Sequence, residues 1–233
     1  MFRQQGKIVA NESKRCSVKV LVFGASLRGD SLNVRLASTA AEVIRAKGGT
    51  ADLATMLDFD CPSFDQDLEG PGQPLPLGAE RLKDRLVAAD AFVIAAPEYN
   101  ASMSGALKNI IDWTSRFRPQ PFNGHQGFLM SASPAMAGGN RGLWALRIPL
   151  EHLGARVYPD MYSLAQAHQA FGPDGAIADE TLRKRFESTL DCFLDFVEAS
   201  KHYPAMKKQW IEFLGERTTA ATERIEDSPA EAA

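Results

Sequence analysis

Residues Val18 to Asn33 read V-K-V-L-V-F-G-A-S-L-R-G-D-S-L-N, and this stretch decides the fold. Its first part, up to Phe23, is apolar apart from Lys19, which is typical of a strand buried on both faces. Beyond Gly24 the stretch becomes polar, and after it apolar residues recur at helical spacing. The stretch therefore predicts a buried strand that ends in a polar loop and leads into a helix.

The polar loop carries hydrogen-bond donors that suit a phosphate group: Ser26, Arg28, Ser31 and Asn33. They stand at a helix start, where unpaired N–H groups and the positive end of the dipole favour an anion, and a guanidinium matches phosphate oxygens. Two interpretations stay open, because the same serine and asparagine types also cap ordinary helices. The loop lacks the P-loop and dinucleotide fingerprints, so the anion we expect is the phosphate of a mononucleotide.

The length of the chain allows one globular α/β domain with extensions, or at most two small domains. The chain has 233 residues, 45% of them hydrophobic, and a formal net charge of -3. This charge gives no reason to expect a nucleic acid or an anionic membrane as partner, and no apolar stretch is long enough to span a bilayer. The cysteines, Cys16, Cys61 and Cys192, are scattered, so we expect a reducing cytoplasm and no metal site.

Strand and helix patterns alternate along the chain. Further strands are predicted at 51–56, 91–96, 127–132 and 156–161, and helices after the first at 79–89, 106–117, 143–153 and 179–199. The alternation predicts an α/β fold: a flavodoxin-like doubly wound sheet of five parallel strands in the order 2-1-3-4-5, with helices on both faces. Residues 57–78 form a long Pro-, Gly- and Asp-rich loop, expected to be functional or inserted.

The chain divides into three parts by composition. Residues 1–16 are polar and irregular and are expected to be a flexible arm, while 17–201 form the flavodoxin-like domain. Residues 202–233 form a C-terminal extension that is expected to be partly disordered. Its first part is amphipathic, with Met206 and Trp210, and is a candidate for packing on a partner subunit.

Three polar loops follow predicted strands: the first loop (24–33), the second loop (97–105) and the third loop (131–141). The carboxyl ends of parallel strands gather at one edge, where such folds bind ligands. The second loop suits a planar ring such as a flavin, because Tyr99 is aromatic and Asn100 both donates and accepts. Alternatively it is a turn before a capped helix. In the third loop, Ser133 and Gly138 allow the same two interpretations.

Taken together, the three loops resemble the NADPH-dependent FMN reductase family, which includes bacterial chromate and quinone reductases and some azoreductases. The matching segments are S-L-R-G-D-S-L-N, P-E-Y-N-A-S-M-S-G-A-L-K-N-I-I-D-W, and S-A-S followed by G-G-N-R. The resemblance covers residues 19–195 and implies a flavodoxin-like fold, FMN bound non-covalently, and a homodimer or homotetramer. The chain departs from many relatives at Met103-Ser104, around Pro71 to Pro76 and in its tail, which bears on substrate choice and oligomer contacts.

Each site residue receives a role from the resemblance, carried over by position. The FMN phosphate would be held by Ser26, Arg28, Ser31 and Asn33. The isoalloxazine ring would be lined, largely through main chain, by Pro97, Glu98, Tyr99 and Asn100. From the other side, Ser133 and Gly138 would meet the ring.

The resulting hypothesis is an FMN-dependent oxidoreductase. NADPH or NADH would pass a hydride to the flavin, and a small acceptor would then take the electrons: a quinone, an azo compound, a metal oxyanion or free flavin. No side chain is required as nucleophile or base, and Glu98 is either an acid/base group or an ordinary carboxylate. The alternatives are a flavodoxin-like electron carrier reduced by a protein partner, a non-flavin binding module, and an enzyme that releases reduced FMN.

Overall fold

A computed structural model describes residues 18–69 and 73–202. The predicted arm over 1–16 lies outside the described residues. So does the extension beyond its first residue, including Met206 and Trp210. None of the helices in the described ranges is long and apolar enough to cross a membrane.

A parallel sheet forms the centre of the fold. Its strands are β1 (Lys19–Gly24), β2 (Thr50–Thr55), β3 (Ala91–Ala95), β6 (Gln126–Ala132), β7 (Arg156–Val157) and β8 (Tyr162–Leu164). Their order is β2-β1-β3-β6-β7, with β8 also paired to β6, and all of these pairings are parallel. The two remaining strands, β4 (Glu98–Tyr99) and β5 (Ser102–Met103), form a separate hairpin. The predicted flavodoxin-like order is therefore confirmed.

The fifth strand position is split into two short pieces. Arg156–Val157 and Tyr162–Leu164 both pair with β6, whereas the sequence pattern predicted one strand over 156–161. Pro159 lies between the pieces and has no N–H to donate to a sheet ladder. The chain therefore leaves β6 after Tyr158, whose N–H still bonds to the carbonyl of Gly127 at 2.7 Å, and rejoins it further along.

Helices cover both faces of the sheet, as predicted. The helices are α1 (Leu32–Ala46), α2 (Leu77–Val87), α3 (Gly105–Thr114), α4 (Asn140–His152) and α5 (Glu180–His202). One core lies between the sheet and α2, α3 and α4, and the other lies between the sheet and α1 and α5. Strand β1 shows why two cores form, since Leu21 and Phe23 enter the first and Val20 and Val22 enter the second.

The long loop after β2 is fastened to helix α3. It contains two short 3-10 turns, Met56–Phe59 and Gln66–Leu68. The side chain of Asn109 accepts from the N–H of Phe64 at 2.7 Å, and the indole N–H of Trp113 donates to the carbonyl of Pro62 at 2.8 Å. One turn further along the chain, Arg116 forms an ion pair with Glu69. Side chains from one stretch of the chain, 109–116, thus hold residues 62–69 of this loop, while Arg85 of helix α2 contacts Asp58 and Phe59 nearer its start.

Gly24 lets helix α1 approach the end of β1. A Cβ atom at this position would lie 2.6 Å from the Cα of Val34, a backbone atom that no side-chain rotation can move. We expect Gly24→Ala to lower the free energy of unfolding by about 2–3 kcal/mol, because a packed backbone must shift. Urea unfolding followed by circular dichroism measures this loss.

Gly29→Ala is the matched control for this substitution. A Cβ atom there would meet no atom within 4 Å, so the change is expected to stay within about 0.5 kcal/mol of the wild type. Equal stabilities for the two variants would contradict the close approach at Gly24.

Candidate cofactor site

The three polar loops meet at the carboxyl edge of the sheet. Backbone hydrogen bonds continue past the strand ends and join neighbouring loops, with the N–H of Ala25 bonded to the carbonyl of Ala95 at 2.8 Å and that of Ala96 to Met130 at 2.8 Å. The structure therefore brings the predicted first, second and third loops together.

Two serines organise the first loop through their hydroxyl oxygens, and both are buried. Ser26 Oγ accepts from the N–H of Arg28 at 3.3 Å. Ser31 Oγ accepts from the N–H groups of Asn33 at 3.2 Å and Val34 at 3.4 Å, and so caps helix α1. Each hydroxyl accepts in these bonds and keeps its own proton available for donation. Capping the helix and binding an anion are therefore compatible roles for Ser31.

Backbone N–H groups of the first loop point to the same chemistry. From Gly29 to Leu32, the N–H groups find no acceptor among the described residues. They stand at the start of helix α1, where the helix dipole adds positive potential. A row of unpaired amides beside two serine hydroxyls is a donor set that fits a phosphate group.

Arg28 is the basic residue of the first loop. Its side chain is 68% exposed and forms an ion pair with Asp30, at 3.1 Å between Nη2 and Oδ1. The guanidinium therefore lies at the surface of the loop, within reach of an anion that arrives from solvent.

Asn33 joins the first loop to the third. Its buried side chain donates from Nδ2 to the carbonyl of Ala132 at 3.0 Å and accepts at Oδ1 from the N–H of Ala132 at 2.9 Å. With both polar atoms used in this way, the side chain fixes the start of α1 against the end of β6. A role for Asn33 toward a ligand is thus one of positioning.

The second loop folds as a tight β-hairpin. The sequence analysis leaves open a ring site or a turn before a capped helix there, and it predicts no strands. Asn100 and Ala101 form its turn with φ values of 53° and 61°, the conformation of a two-residue type I′ turn. Their N–H groups have no acceptor among the described residues. Tyr99, on the strand before the turn, is half-exposed. The hairpin thus presents backbone donors and an aromatic ring at the edge of the site.

Ser104 connects the hairpin to the first loop, a role that the sequence analysis did not assign. Its Oγ accepts from the N–H of Leu107 at 3.2 Å, which caps helix α3, and it donates to the carbonyl of Ala25 at 3.5 Å. A serine before a helical pattern is a recognisable cap signal, but its partner in the first loop is far away in sequence.

Glu98 holds the hairpin against helix α4. Its carboxylate is only 9% exposed and bonds to Arg141 through Nη2 at 2.7 Å and through Nε at 2.8 Å. It also accepts from the N–H groups of Arg141 at 3.0 Å and Gly142 at 3.2 Å. The helix begins after Gly139, which has no side chain to cap it, so Glu98 supplies the missing cap. Of the two interpretations given above, the geometry favours a structural carboxylate.

Glycines shape the third loop. Gly138 has φ of 61°, and a Cβ there would lie 3.0 Å from the Cβ of Ser163. At Gly139, a Cβ would overlap Ser131 Oγ, a buried hydroxyl for which the described residues supply no hydrogen-bond partner. Ser133 Oγ accepts from the N–H of Ala135 at 3.2 Å. The loop therefore turns tightly over the end of β6, and Ser133 lies at its beginning.

An open cleft of about 400 Å³ lies beside the first loop. Its lining includes Leu27 from that loop, Met56 and Phe59 from the loop after β2, and Ala106 from helix α3. Cys61 also lines the cleft, and burial raises the pKa of its thiol, so the group stays protonated near neutral pH. Asp60, Ser63 and Asn109 also line the cleft. It therefore has a mixed polar and apolar lining and lies beside the first loop.

Comparison with known proteins gives a consistent result. A family model described as NADPH-dependent FMN reductase matches residues 18–169. An NAD(P)H-dependent FMN reductase of Pseudomonas aeruginosa is 33% identical over 175 residues, which are 74% of this chain and 91% of the relative. A quinone reductase of Escherichia coli K12 is 30% identical over 186 residues, which are 79% of this chain and 97% of the relative.

Solved structures agree with the sequence relatives. The flavoenzyme NAD(P)H:(acceptor) oxidoreductase FerB of Paracoccus denitrificans superposes with a TM-score of 0.68 and 30% identity, covering 78% of this chain and 98% of that one. A flavodoxin from the domain Archaea has a TM-score of 0.51, with 78% of this chain and 99% of that one covered. Because its identity is 11%, this second likeness concerns the fold alone.

The cap that Glu98 provides can be tested by removing it. We expect Glu98→Ala to lower the free energy of unfolding by about 1–2 kcal/mol, because the first N–H groups of helix α4 lose their cap and the exposed guanidinium of Arg141 loses its carboxylate partner. Glu98→Gln keeps an acceptor oxygen and should lose less. Chemical denaturation measures both changes.

Glu180→Ala is the control for the Glu98 variants. Glu180 also stands in the first turn of a helix, but its side chain is exposed and forms an ion pair with the exposed Lys184. Its removal is expected to change stability by less than about 0.5 kcal/mol. If Glu98→Ala proved no more destabilising than this control, the capping role would be wrong.

Proposed function

This chain belongs to the NADPH-dependent FMN reductase family, and on that premise we propose that its three loops bind FMN and that the enzyme reduces a quinone with NAD(P)H. The observation that carries the proposal is the donor set of the first loop, where free backbone N–H groups and two buried hydroxyls surround a helix start. The quinone reductases among the relatives support the choice of acceptor. We take residues 17–201 as the reductase domain. The family match over 18–169 supports its start, and the packing of helix α5 in the second core supports its inclusion of that helix.

The phosphate end of FMN is assigned to the first loop. Ser26 and Ser31 would donate their hydroxyl protons, the backbone from Gly29 to Leu32 would donate its N–H groups, and Arg28 would supply the positive charge. Asn33 would act indirectly, because its side chain fixes the helix start from which these donors project.

The ring end of FMN is assigned to the hairpin and the third loop. Pro97 leads the chain from β3 into the hairpin, and Tyr99 and Asn100 present an aromatic ring and free backbone donors. Glu98 would keep the hairpin in place through its bonds to helix α4. Ser133 and Gly138 would approach the ring from the third loop, where the glycine permits a tight turn.

When bound, FMN supplies the hydride and electron transfer between nicotinamide and acceptor. The residues of the chain would bind and orient the FMN and exclude water from it. The carboxylate of Glu98 is already bonded to Arg141 and to two backbone N–H groups, so its role would be to hold the hairpin against helix α4. Tyr99 offers an aromatic surface at the open side of the site, where an aromatic substrate can stack.

A homo-oligomer is part of the proposal, and helix α4 supports it. Trp144 and Ile148 lie one turn apart on this helix and are 57% and 73% exposed. Two large apolar side chains on one helix face are typical of a surface that another subunit covers. We propose a homodimer through this face, and a homotetramer would need a second contact. The cytoplasmic location stays a prediction.

An anaerobic absorbance spectrum of the FMN-loaded protein tests the function. We expect the visible flavin absorbance to bleach on addition of NADPH and to return when 1,4-benzoquinone is added. Dithionite serves as the control that the bound flavin is reducible. A flavin that dithionite bleaches and NADPH leaves oxidised would favour the electron carrier instead. Apoprotein that takes up no FMN would contradict the cofactor assignment.

The proposed dimer is tested by light scattering after size exclusion. The wild type is expected to have the mass of a dimer, and Trp144→Glu and Ile148→Glu are expected to give monomers, because a buried carboxylate opposes association. Val87→Glu is the matched control, since Val87 is 68% exposed on helix α2. Dissociation by the control as well, or by neither α4 variant, would contradict the interface.

A further inference from the structure

We propose that Asp30 lowers the affinity of the first loop for the phosphate group. The bound mononucleotide is thereby held weakly enough to exchange with free mononucleotide in solution. This inference rests on the proposed FMN site. It concerns a residue of the first loop to which neither the family motif nor the comparisons assign a role.

Asp30 is an anion within a loop of donors. It directly precedes Ser31, the cap of helix α1, and its side chain is 86% exposed. Its carboxylate contacts Arg28 at 3.1 Å, and no other partner for it is described. Between residues 25 and 34 these two side chains are the charged ones, so the loop has no net charge of its own.

A phosphate that enters this loop therefore meets two opposing effects. The neutral donors and the helix dipole attract it. Asp30 repels it, and also occupies the guanidinium that would otherwise pair with it. To bind the phosphate, the guanidinium of Arg28 must either break its ion pair with Asp30 or contact both anions at once. The structure thus places a competitor for the phosphate inside the loop that binds it.

Asp30 does not serve the local fold in a way that would explain its presence. Its side chain accepts no backbone N–H that is described, and Ser31 already caps the helix. A carboxylate just before a helix start does interact favourably with the dipole. Asp30 is therefore expected to stabilise the folded protein slightly and to weaken phosphate binding, so that removing its charge should change these two quantities in opposite directions.

The test compares FMN binding by the wild-type apoprotein and by Asp30→Asn, which keeps the shape and removes the charge. Flavin fluorescence quenching gives the dissociation constants. We expect Asp30→Asn to bind FMN about three- to tenfold more tightly at low salt, since one repulsive charge near a dianion is removed. The gain should shrink toward none at about 1 M salt, where the Debye length is about 3 Å. Thermal unfolding of the apoprotein should show an equal or slightly lower melting temperature.

Riboflavin is the matched control ligand, because it has the ring and lacks the phosphate. Its affinity is expected to be the same in both proteins. Asp30→Glu keeps the charge and should keep wild-type affinity for FMN. Asp67→Asn makes the same change of charge at another exposed position and should have no effect. Arg28→Ala should weaken FMN binding at least tenfold, showing that the assay reports on this loop.

The outcomes separate this inference from the proposed function. Wild-type protein that binds FMN, with Asp30→Asn binding it equally or more weakly, would overturn the inference and leave the function in place. An equal gain for FMN and riboflavin would also overturn it, because the effect would not concern the phosphate. Failure of every variant to bind FMN would overturn the cofactor assignment, and the inference with it.

Discussion

Two hydrogen bonds between the Asn33 side chain and the backbone of Ala132 hold the start of helix α1 against the end of β6. These residues belong to different loops, so the pair fixes the distance between the two sides of the site. Gly24 makes the arrangement possible, since any larger residue would push helix α1 away. The position of the donors in the first loop therefore depends on the buried side-chain amide of Asn33, whose hydrogen bonds are made to the third loop.

The same principle recurs at three of the helices that begin at this edge. Ser31 caps α1, Ser104 caps α3 while donating to the first loop, and Glu98 caps α4 from the neighbouring hairpin. The hydrogen bonds that cap these helices thus also hold the loops of the candidate site in place. A serine at such a position need not be assigned to one role or the other, because its oxygen accepts from the helix and its proton remains available.

The sequence predicted the alternation of strands and helices and the order of the sheet, because both follow from periodicity and from the handedness of parallel connections. It did not predict the hairpin, since Ala101 occupies a left-handed position where glycine is usual. It also missed the partners of Glu98 and Asn33, which lie 43 and 99 residues away. The spacing of residues along the chain carries no information about such distant contacts. The family resemblance therefore identified the loops of the site, but it did not show which hydrogen bonds hold them together.

Helix α4 takes its cap from a hairpin that precedes it by many residues, and the same helix exposes Trp144 and Ile148. Fraying of the hairpin therefore also frees the first turn of α4. Whatever orders one must order the other, and thermodynamic reciprocity makes the coupling equal in both directions. In the proposed FMN-binding dimer, loading of the ring site and burial of this helix face would therefore be linked equilibria, so that cofactor retention would rise with subunit association as the protein concentration increases.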